Sequence, residues 1–414
     1  MLAPPNDSPG HRIGTREFVA LMAMLQALQA LAIDMMLPAL GVISTDLGVT
    51  NPNHRQLIVG LFLLFSGLFS LVPGAFADRY GRRLVLFVCL GGYVAMNLAA
   101  ALAPSFDVLL IMRCLTGAFS AGLMVLTSAI IRDRFEGDQM ARTQSLVSMV
   151  FMIVPMAAPS LGQAVLLFAS WRWIFGVMAL LALLVGSWAW LRLPETLHPE
   201  FRQPIQPAAI AANMAKVLTT RGALGYVLAI ALVQGALFGY INSSQQLVAE
   251  HFGAGESFPL VFGGMALCMA FTNLANSRIV ERFGARRVSH TAVMIYMALG
   301  AVQLWLALSG SEGLWQFAPV MTLNLCAMSF IGANFQAIAL QPFGRIAGAA
   351  ASVQMFMRLL GGAALGALIG QAYDGTAVPM ATALLIAGVG ALLLVLYSEH
   401  GKLFRRLHGQ VPQV

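Results

Sequence analysis

A short charged turn occurs twice in this chain, and each copy lies between two long apolar runs. The first copy, Gly74–Arg83, reads GAFADRYGRR, and a weaker copy at Ser277–Arg287 reads SRIVERFGARR. The acidic residue, the arginine and the glycine of the turn recur at a constant distance of 203 positions. One turn at matching places in two halves of an apolar chain predicts an internally duplicated membrane protein, an arrangement common among transporters.

The composition excludes a soluble protein. Hydrophobic residues make up 59% of the 414 residues and charged residues only 10%, whereas soluble proteins have about 25% charged residues. A helix crosses a bilayer core with about 20 apolar residues. We therefore predict an all-α membrane protein with twelve transmembrane helices in two pseudo-symmetric six-helix bundles. The predicted spans are 18–40, 56–77, 84–103, 107–130, 143–168, 173–193, 223–245, 258–280, 288–309, 315–338, 347–370 and 377–397.

The longest polar stretch divides the chain. Pro194–Gly222 contains four prolines and scattered charges. We expect an N-terminal bundle at 1–193, a cytoplasmic linker at 194–222, and a C-terminal bundle with a short cytoplasmic tail at 223–414.

The basic residues predict the orientation. With the N-terminus in the cytoplasm, 20 of the 24 lysines and arginines face the cytoplasm, and only Arg55 and Arg172 face outward. Such a bias is typical of multi-pass inner-membrane proteins, and it explains the net charge of +7 without nucleic acid. We expect a bacterial inner-membrane protein that is a monomer in the lipid bilayer, has both termini in the cytoplasm and binds no metal.

The first copy of the turn follows the pattern G-x-x-x-D-R-x-G-R-R. Gly74 is expected to let a neighbouring helix approach closely, and Gly81 to adopt the backbone shape of a tight turn. Asp78 stands at a helix end, where it can accept hydrogen bonds from an arginine or from the start of a nearby helix. The alternative is an ordinary basic loop, and the second copy argues against it.

Asp34 and Arg113 are ionisable residues inside predicted spans, and such residues are costly and usually functional. Counted from the expected outer ends near Leu40 and Asp107, both lie about 9 Å below the outer surface. We expect them to share a cavity in which Asp34 gains and loses a proton in each transport cycle. The alternatives are a static ion pair and an arginine that extends toward the outer surface.

Polar and methionine side chains within the spans are the candidates for substrate contact, because polar groups turn toward the bundle interior and methionine adapts to varied shapes. The alternative is that they only join helices to each other. Arg358 lies near mid-membrane and is expected to bind backbone carbonyls or an anionic substrate group. The candidates are Gln26, Gln29, Met36, Gln234, Tyr240, Asn242 and Arg358.

The turn resembles the loop-2/3 signature of the major facilitator superfamily. Ile33–Leu40, which reads IDMMLPAL, resembles the D-M-Y-L-P-A-L signature of the Bcr/CflA drug-efflux branch, with Met36 in place of the tyrosine. The segment Arg113–Gly117 reads RCLTG and is similar to the family's R-x-x-Q-G pattern, with Thr116 in place of glutamine. Span five resembles the antiporter motif of exporters, with Pro155, Pro159 and Gly162 in place and Gln163 instead of the second glycine.

This resemblance implies the twelve-span fold and roles for the motif residues. Asp78 and Arg79 are expected to latch the two halves in the outward-open state, with Gly74 and Gly81 shaping the turn. Arg82 and Arg83 are expected to hold the cytoplasmic face. The second copy, with Ser277 and Ala285, should latch more weakly. Arg113 is implied to take part in proton coupling.

The leading hypothesis is a proton-coupled antiporter that exports lipophilic drug-like molecules by alternating access. No G-x-x-x-x-G-K-[ST] sequence occurs, so we expect the proton gradient, and no cofactor, to drive transport. A carrier of a defined polar metabolite, such as a sugar or an amino-acid derivative, is the alternative, and the asparagines and glutamines of the second half favour it. A sensor or an enzyme would need neither the repeated turn nor the buried acid, and we expect no enzymatic activity.

Overall fold

The computed structural model describes residues 13–135, 137–202, 204–310 and 312–404, and every regular element among them is helical. This confirms the predicted all-α class. The helices of the first half are α1 Thr15–Asp34, α2 Leu40–Asp46, α3 Leu57–Phe69, α4 Val72–Tyr80, α5 Arg82–Ala101, α6 Phe106–Arg134, α7 Gly137–Phe151, α8 Ile153–Phe168 and α9 Arg172–Arg192. Those of the second half are α10 Pro207–Thr219, α11 Arg221–Gln245, α12 Phe258–Phe283, α13 Ala285–Leu308, α14 Leu314–Leu340, α15 Ala347–Gln371 and α16 Val378–Ser398.

Eleven segments within the described residues are long and apolar enough to cross a membrane, and a bent pair makes a twelfth. The pair consists of Pro52–Phe69 and Val72–Tyr80, which meet at an angle of 45°. Pro73 stands in the first turn of α4, where its missing N–H leaves no hydrogen bond unmade. The pair corresponds to the second predicted span.

The first span is broken at Asp34. Helix α1 ends at Asp34, a short 3-10 turn covers Leu37–Ala39, and α2 continues to Asp46. Pro38 lies within the 3-10 turn and has no N–H to extend an α-helix through it. The expected end near Leu40 is therefore wrong. Asp34 lies twelve residues from the end of the helical segment, and its depth below the outer surface stays a prediction.

The contacts of the chain divide it into two units, with the boundary between Gln206 and Pro207. The boundary falls in the stretch that we interpreted as a linker, and that stretch contains helix α10 as well as irregular chain. In the first unit α6 packs against α3 and α5, and α1 contacts α6, α7, α8 and α9. In the second unit α11 packs against α14, α15 and α16, and α13 packs against α14 and α16.

A half-buried carboxylate lies in the loop between α13 and α14. Gln303 Nε2 donates to Glu312 Oε1 at 2.7 Å, while Glu312 Oε2 and Gln303 Oε1 are buried without a hydrogen-bond partner. Burial raises the pKa of Glu312 to about 7 despite the hydrogen bond from Gln303, which lowers it. The folded protein therefore binds this proton more tightly than the unfolded chain does.

We predict that this carboxylate makes stability fall as the pH rises. The ordinary pKa of 4.5 applies to the unfolded chain, so the loss develops between about pH 4.5 and 7 and persists above that range. Glu312→Gln should raise the melting temperature of the detergent-solubilised protein at pH 8 and change it little at pH 5. Glu256→Gln, at an exposed glutamate of another loop of the same unit, is the matched control. An equal effect of Glu312→Gln at both pH values would contradict the prediction.

Candidate functional site

Asp34 is the last residue of α1 and is 5% exposed. Among the described residues, its carboxylate makes no hydrogen bond and no ion pair. Met35 and Met36, which follow it in the break, are fully buried. The structure therefore places a buried, unpartnered acid at an interruption of the first span.

Arg113 of α6 is fully buried and donates hydrogen bonds to two neighbouring segments. Its Nη2 donates to the carbonyl oxygen of Ala32 at 2.7 Å, and its Nε donates to the carbonyl oxygen of Ile58 at 3.0 Å. The guanidinium also lies 4.4 Å from the centre of the Phe62 ring. Arg113 thus reaches the turn of α1 that ends at Asp34, and the static ion pair, which was one of the alternatives, does not form.

The bond to Ala32 explains how the first span can be interrupted. A helix end leaves carbonyl groups without partners, and within a membrane such groups must be satisfied inside the protein. Met36 N–H bonds to Ile33 O instead of continuing the α-helical pattern to Ala32 O. The Arg113 guanidinium donates a hydrogen bond to Ala32 O in place of a backbone N–H. It also places a positive charge at the C-terminal end of α1, where the helix dipole favours it.

Gly162 of the antiporter motif touches the same break. A Cβ atom at this position would overlap the carbonyl oxygen of Met35, so only glycine allows α8 to approach so closely. Pro159 lies inside α8, and Pro155 lies in its first turn, just after the break between α7 and α8 at Met152. A proline at 155 cannot donate to the carbonyl of residue 151, which accounts for the break.

Three predicted substrate contacts in the first unit either hydrogen-bond to other side chains of the protein or are inaccessible. Gln26 donates to Thr127 Oγ1 at 3.0 Å, and Gln29 donates to Ser66 Oγ at 2.7 Å. Both glutamines therefore join α1 to neighbouring helices, which was the alternative interpretation. Met36 is fully buried, so in this structure it offers no surface to a ligand.

The candidates of the second unit differ in exposure. Tyr240 is 2% exposed, donates to Met265 Sδ at 3.1 Å, and stacks on Phe262. Asn242 is 1% exposed, and its Oδ1 has no partner. Gln234 and Arg358 are half-buried, so these two retain surface that a ligand can reach.

The charged turn between α4 and α5 is organised by its second glycine. Gly81 has φ 102° and ψ 151°, a left-handed conformation that favours glycine. A Cβ at this position would also meet the Glu195 carboxylate at 2.6 Å. Gly74 does not have the expected role, because a Cβ there would meet Val125 at an ordinary distance of 3.5 Å. The expected close helix approach at Gly74 is therefore wrong.

Arg82 is the centre of the ion pairs in this turn. It is 4% exposed and bonds Asp78 at 2.6 Å and Asp133 at 2.9 Å. Glu195 accepts hydrogen bonds from the backbone N–H groups of Arg82 and Arg83 at the start of α5. The sequence reasoning missed Asp133 and Glu195. Each is an acidic residue among basic ones at a predicted span end, and that is the signal by which they could have been found.

The other two arginines of the turn have smaller roles within the unit. Arg83 donates to the carbonyl oxygen of Trp190 at 2.7 Å and lies over the rings of Phe87 and Trp190. Arg79 is exposed, and its guanidinium lies 5.2 Å from the adjacent Tyr80 ring. The latch role of the turn stays a prediction.

The second copy of the turn has a similar backbone conformation, but its side chains make different ion pairs and hydrogen bonds. Gly284 has φ 82° and ψ 148°, close to the values of Gly81. Arg286 bonds Glu399 at 2.8 Å, and Tyr226 donates to the same carboxylate at 2.7 Å. Hydrogen bonds from Arg286 and Tyr226 hold the pKa of Glu399 below its ordinary value, although burial acts in the opposite direction. Glu399 was also missed, and it too stands at a span end.

The sequence matches a known family model over residues 22–366, described as Major Facilitator Superfamily. The chain belongs to the Major Facilitator Superfamily. The resemblance of its charged turn is thereby confirmed.

Curated relatives of this superfamily member are named for drug resistance. It is 29% identical over 368 residues to a bicyclomycin resistance protein homolog of Haemophilus influenzae, covering 88% of this chain and 91% of that one. It is 28% identical to the multidrug resistance protein MdtL of Klebsiella pneumoniae, covering 88% and 91%, respectively. It is 27% identical to a chloramphenicol resistance protein of Pseudomonas aeruginosa, covering 84% and 82%. These matches confirm the resemblance to the drug-efflux branch.

Solved structures share the superfamily fold. The human organic anion transporter MFSD10 (TETRAN) matches with a TM-score of 0.68 at 19% identity, covering 94% of this chain and all of that one. A D-xylose-proton symporter matches with a TM-score of 0.70 at 14% identity, covering 92% and 95%. At such identities the likeness shows the fold alone.

We predict that Gly162→Ala destabilises the protein and abolishes transport. The added methyl group would overlap Met35 O, so α8 must move away from the break, at a cost of about 1–3 kcal/mol. Gly91→Ala in α5 is the control, because nothing lies within 4 Å of its Cβ position. Thermal unfolding in detergent and drug susceptibility of expressing cells measure both effects. Native behaviour of Gly162→Ala would show that the close approach is not needed.

We predict that substitutions of two arginines in the turn have different effects, one on stability and the other on transport. Arg82→Ala leaves Asp78 and Asp133 without their cation and should cost about 3 kcal/mol, visible as a lower melting temperature. Arg79→Ala removes an exposed side chain and should keep the native melting temperature while reducing transport, if Arg79 acts in the latch. Unchanged transport by Arg79→Ala would contradict its latch role.

Proposed function

We propose that this superfamily member is a secondary active exporter, which exchanges external protons for lipophilic drug-like small molecules by alternating access. The names of its relatives, which concern resistance to bicyclomycin, chloramphenicol and multiple drugs, support this substrate class. The protein is multi-pass. We place it in a bacterial inner membrane, as a monomer with both termini in the cytoplasm. The proton gradient drives it, without a cofactor and without enzymatic activity.

The unpartnered carboxylate of Asp34 is the observation that carries the proposal. Arg113 uses two of its donors on the carbonyls of Ala32 and Ile58, so a proton can reach Asp34 without first breaking an ion pair. Gly162 of the antiporter motif packs against the residue that follows Asp34. A movement of α8 therefore changes the surroundings of the acid directly, which couples the proton site to helix motion.

The remaining roles follow from exposure and position. Gln234 and Arg358 are half-buried and are the substrate contacts that we favour, with Tyr240 and Asn242 behind them as polar groups on α11. Asp78 and Arg79 serve in the latch, and Arg82 and Arg83 fix the start of α5.

A carrier of a polar metabolite is the second candidate, and one observation favours it. Several buried amide oxygens of the second unit lack a donor, namely those of Asn242, Gln245, Asn324 and Gln354. A substrate with several hydroxyl or amine groups would supply donors. Competition by unrelated neutral and cationic antibiotics separates the candidates, since a carrier of one metabolite should ignore most of them.

We predict that Asp34→Asn abolishes proton-driven export. An amide cannot exchange a proton, so inverted membrane vesicles of this variant should release no protons when substrate is added. Asp107→Asn is the control, because that carboxylate is exposed in the first turn of α6. Size-exclusion profiles of both variants report folding.

Two outcomes would reject parts of the proposal. Normal substrate-induced proton release by Asp34→Asn would remove Asp34 from the proton pathway. If the native protein in a pump-deficient host raised the tolerance to no drug of a broad panel, drug export itself would be rejected.

A further inference from the structure

Arg358 is a cation in the middle of a membrane helix without a carboxylate partner. It lies eleven residues after the start of α15 and thirteen before its end. Its only polar contact among the described residues is Nη2 to Met355 Sδ at 3.5 Å. Thioether sulfur is a weak acceptor, so most donors of this guanidinium are unused.

The second unit contains no acid that could neutralise Arg358. Its acidic residues all stand in loops or near helix ends, and they are Glu250, Glu256, Glu281, Glu312, Asp374 and Glu399. Arg113 of the first unit shows the contrast, since it is fully buried and donates to two carbonyl oxygens. Two of the three Arg113 nitrogens are used within the protein and Nη1 has no partner, whereas Arg358 is half-buried and bonds no oxygen among the described residues.

The packing of α15 shows which face carries Arg358. Gly361 and Gly362 lie one turn further along the helix and contact Ala231 and Gln234 of α11. Residues three and four apart share a helix face, so Arg358 belongs to the face that packs on α11. Gln354 lies one turn earlier on that face, and its Oε1 has no partner. The face of α15 that carries Arg358 therefore also carries Gln354, and it packs against α11, where Gln234 meets Gly362.

We propose that Arg358 binds the anionic group of substrates and makes the protein an exporter of anionic as well as neutral lipophilic molecules. This inference rests on the proposed export function and adds a substrate class to it. A guanidinium can bind a carboxylate or sulfonate through two parallel hydrogen bonds. The bound anion supplies the counter-charge that the second unit lacks. Lysine offers the charge without the planar pair of donors.

Two related dyes test this assignment in a host without its own drug pumps. The probes are 1-anilinonaphthalene-8-sulfonate, which is an anion, and N-phenyl-1-naphthylamine, which has the same aromatic frame without the sulfonate. The native protein should export both. Arg358→Gln should reduce export of the sulfonate at least tenfold and keep export of the neutral amine within twofold. Arg358→Lys should recover part of the sulfonate export. Arg16→Gln, at an exposed arginine in the first turn of α1, should change neither.

The outcomes separate this inference from the export function. Export of the neutral dye but not of the sulfonate by the native protein would reject the inference and leave drug export standing. Loss of both dyes in Arg358→Gln would indicate a structural role and reject it too, as would unchanged sulfonate export. Failure of the native protein with both dyes and with every drug of a panel would reject the export function together with the inference.

A second measurement needs no variant. In proteoliposomes of the native protein, an interior-negative potential set by potassium and valinomycin should accelerate sulfonate efflux more than amine efflux. Expelling an anion while a proton enters moves one more charge through the potential than expelling a neutral molecule. Equal responses of the two dyes would show that the sulfonate does not move as an anion and would overturn the inference.

Discussion

The bond between Arg113 and the carbonyl oxygen of Ala32 is the interaction on which the candidate site depends. An interrupted helix within a membrane exposes carbonyl groups that lipid cannot satisfy. Because Arg113 satisfies one of them at 2.7 Å, α1 can end at Asp34 instead of continuing as a regular helix. Because Gly162 has no side chain, α8 can close over the break at Met35. Asp34, Arg113 and Gly162 thus all lie at the same break in the first span.

The second half of the chain contains only some of these features of the first half. The start of α5 and the start of α13 are 203 positions apart, and Gly81 and Gly284 share a left-handed backbone. In the second half Gly366 packs closely against Phe238, the residue 203 positions after Met35. Gly366 lies 204 positions after Gly162, so the register of the repeat shifts by one residue in this helix. The second half thus has a similar close glycine contact, but Leu237 stands at the position that corresponds to Asp34.

The sequence predicts local and compositional features well, and long-range partners poorly. Twelve apolar segments, the left-handed Gly81 and the neighbourhood of Asp34 and Arg113 follow from hydrophobic length, turn chemistry and helix rise. The break at Asp34 was not predicted. Pro38 is a local signal for it, but the donor that satisfies the freed carbonyl of Ala32 is Arg113, 81 positions further along the chain. Asp133, Glu195 and Glu399 were missed for the same reason. Gly74 shows the reverse error, since its spacing suggested a close helix contact that packing does not produce.

Arg113 and Arg358 show why an intramembrane arginine cannot be assigned from its depth alone. Both lie well inside a span, yet Arg113 donates to two carbonyl oxygens, while among the described residues Arg358 contacts only a sulfur atom at 3.5 Å. An arginine paired to carbonyls keeps its charge in place throughout a cycle, because those carbonyls cannot titrate. In the proposed cycle it can hold the break at Ala32 while Asp34 gains and loses its proton. An arginine without such partners must find its counter-charge elsewhere, and in the proposed antiporter an anionic substrate is the component that brings a negative charge and departs with it.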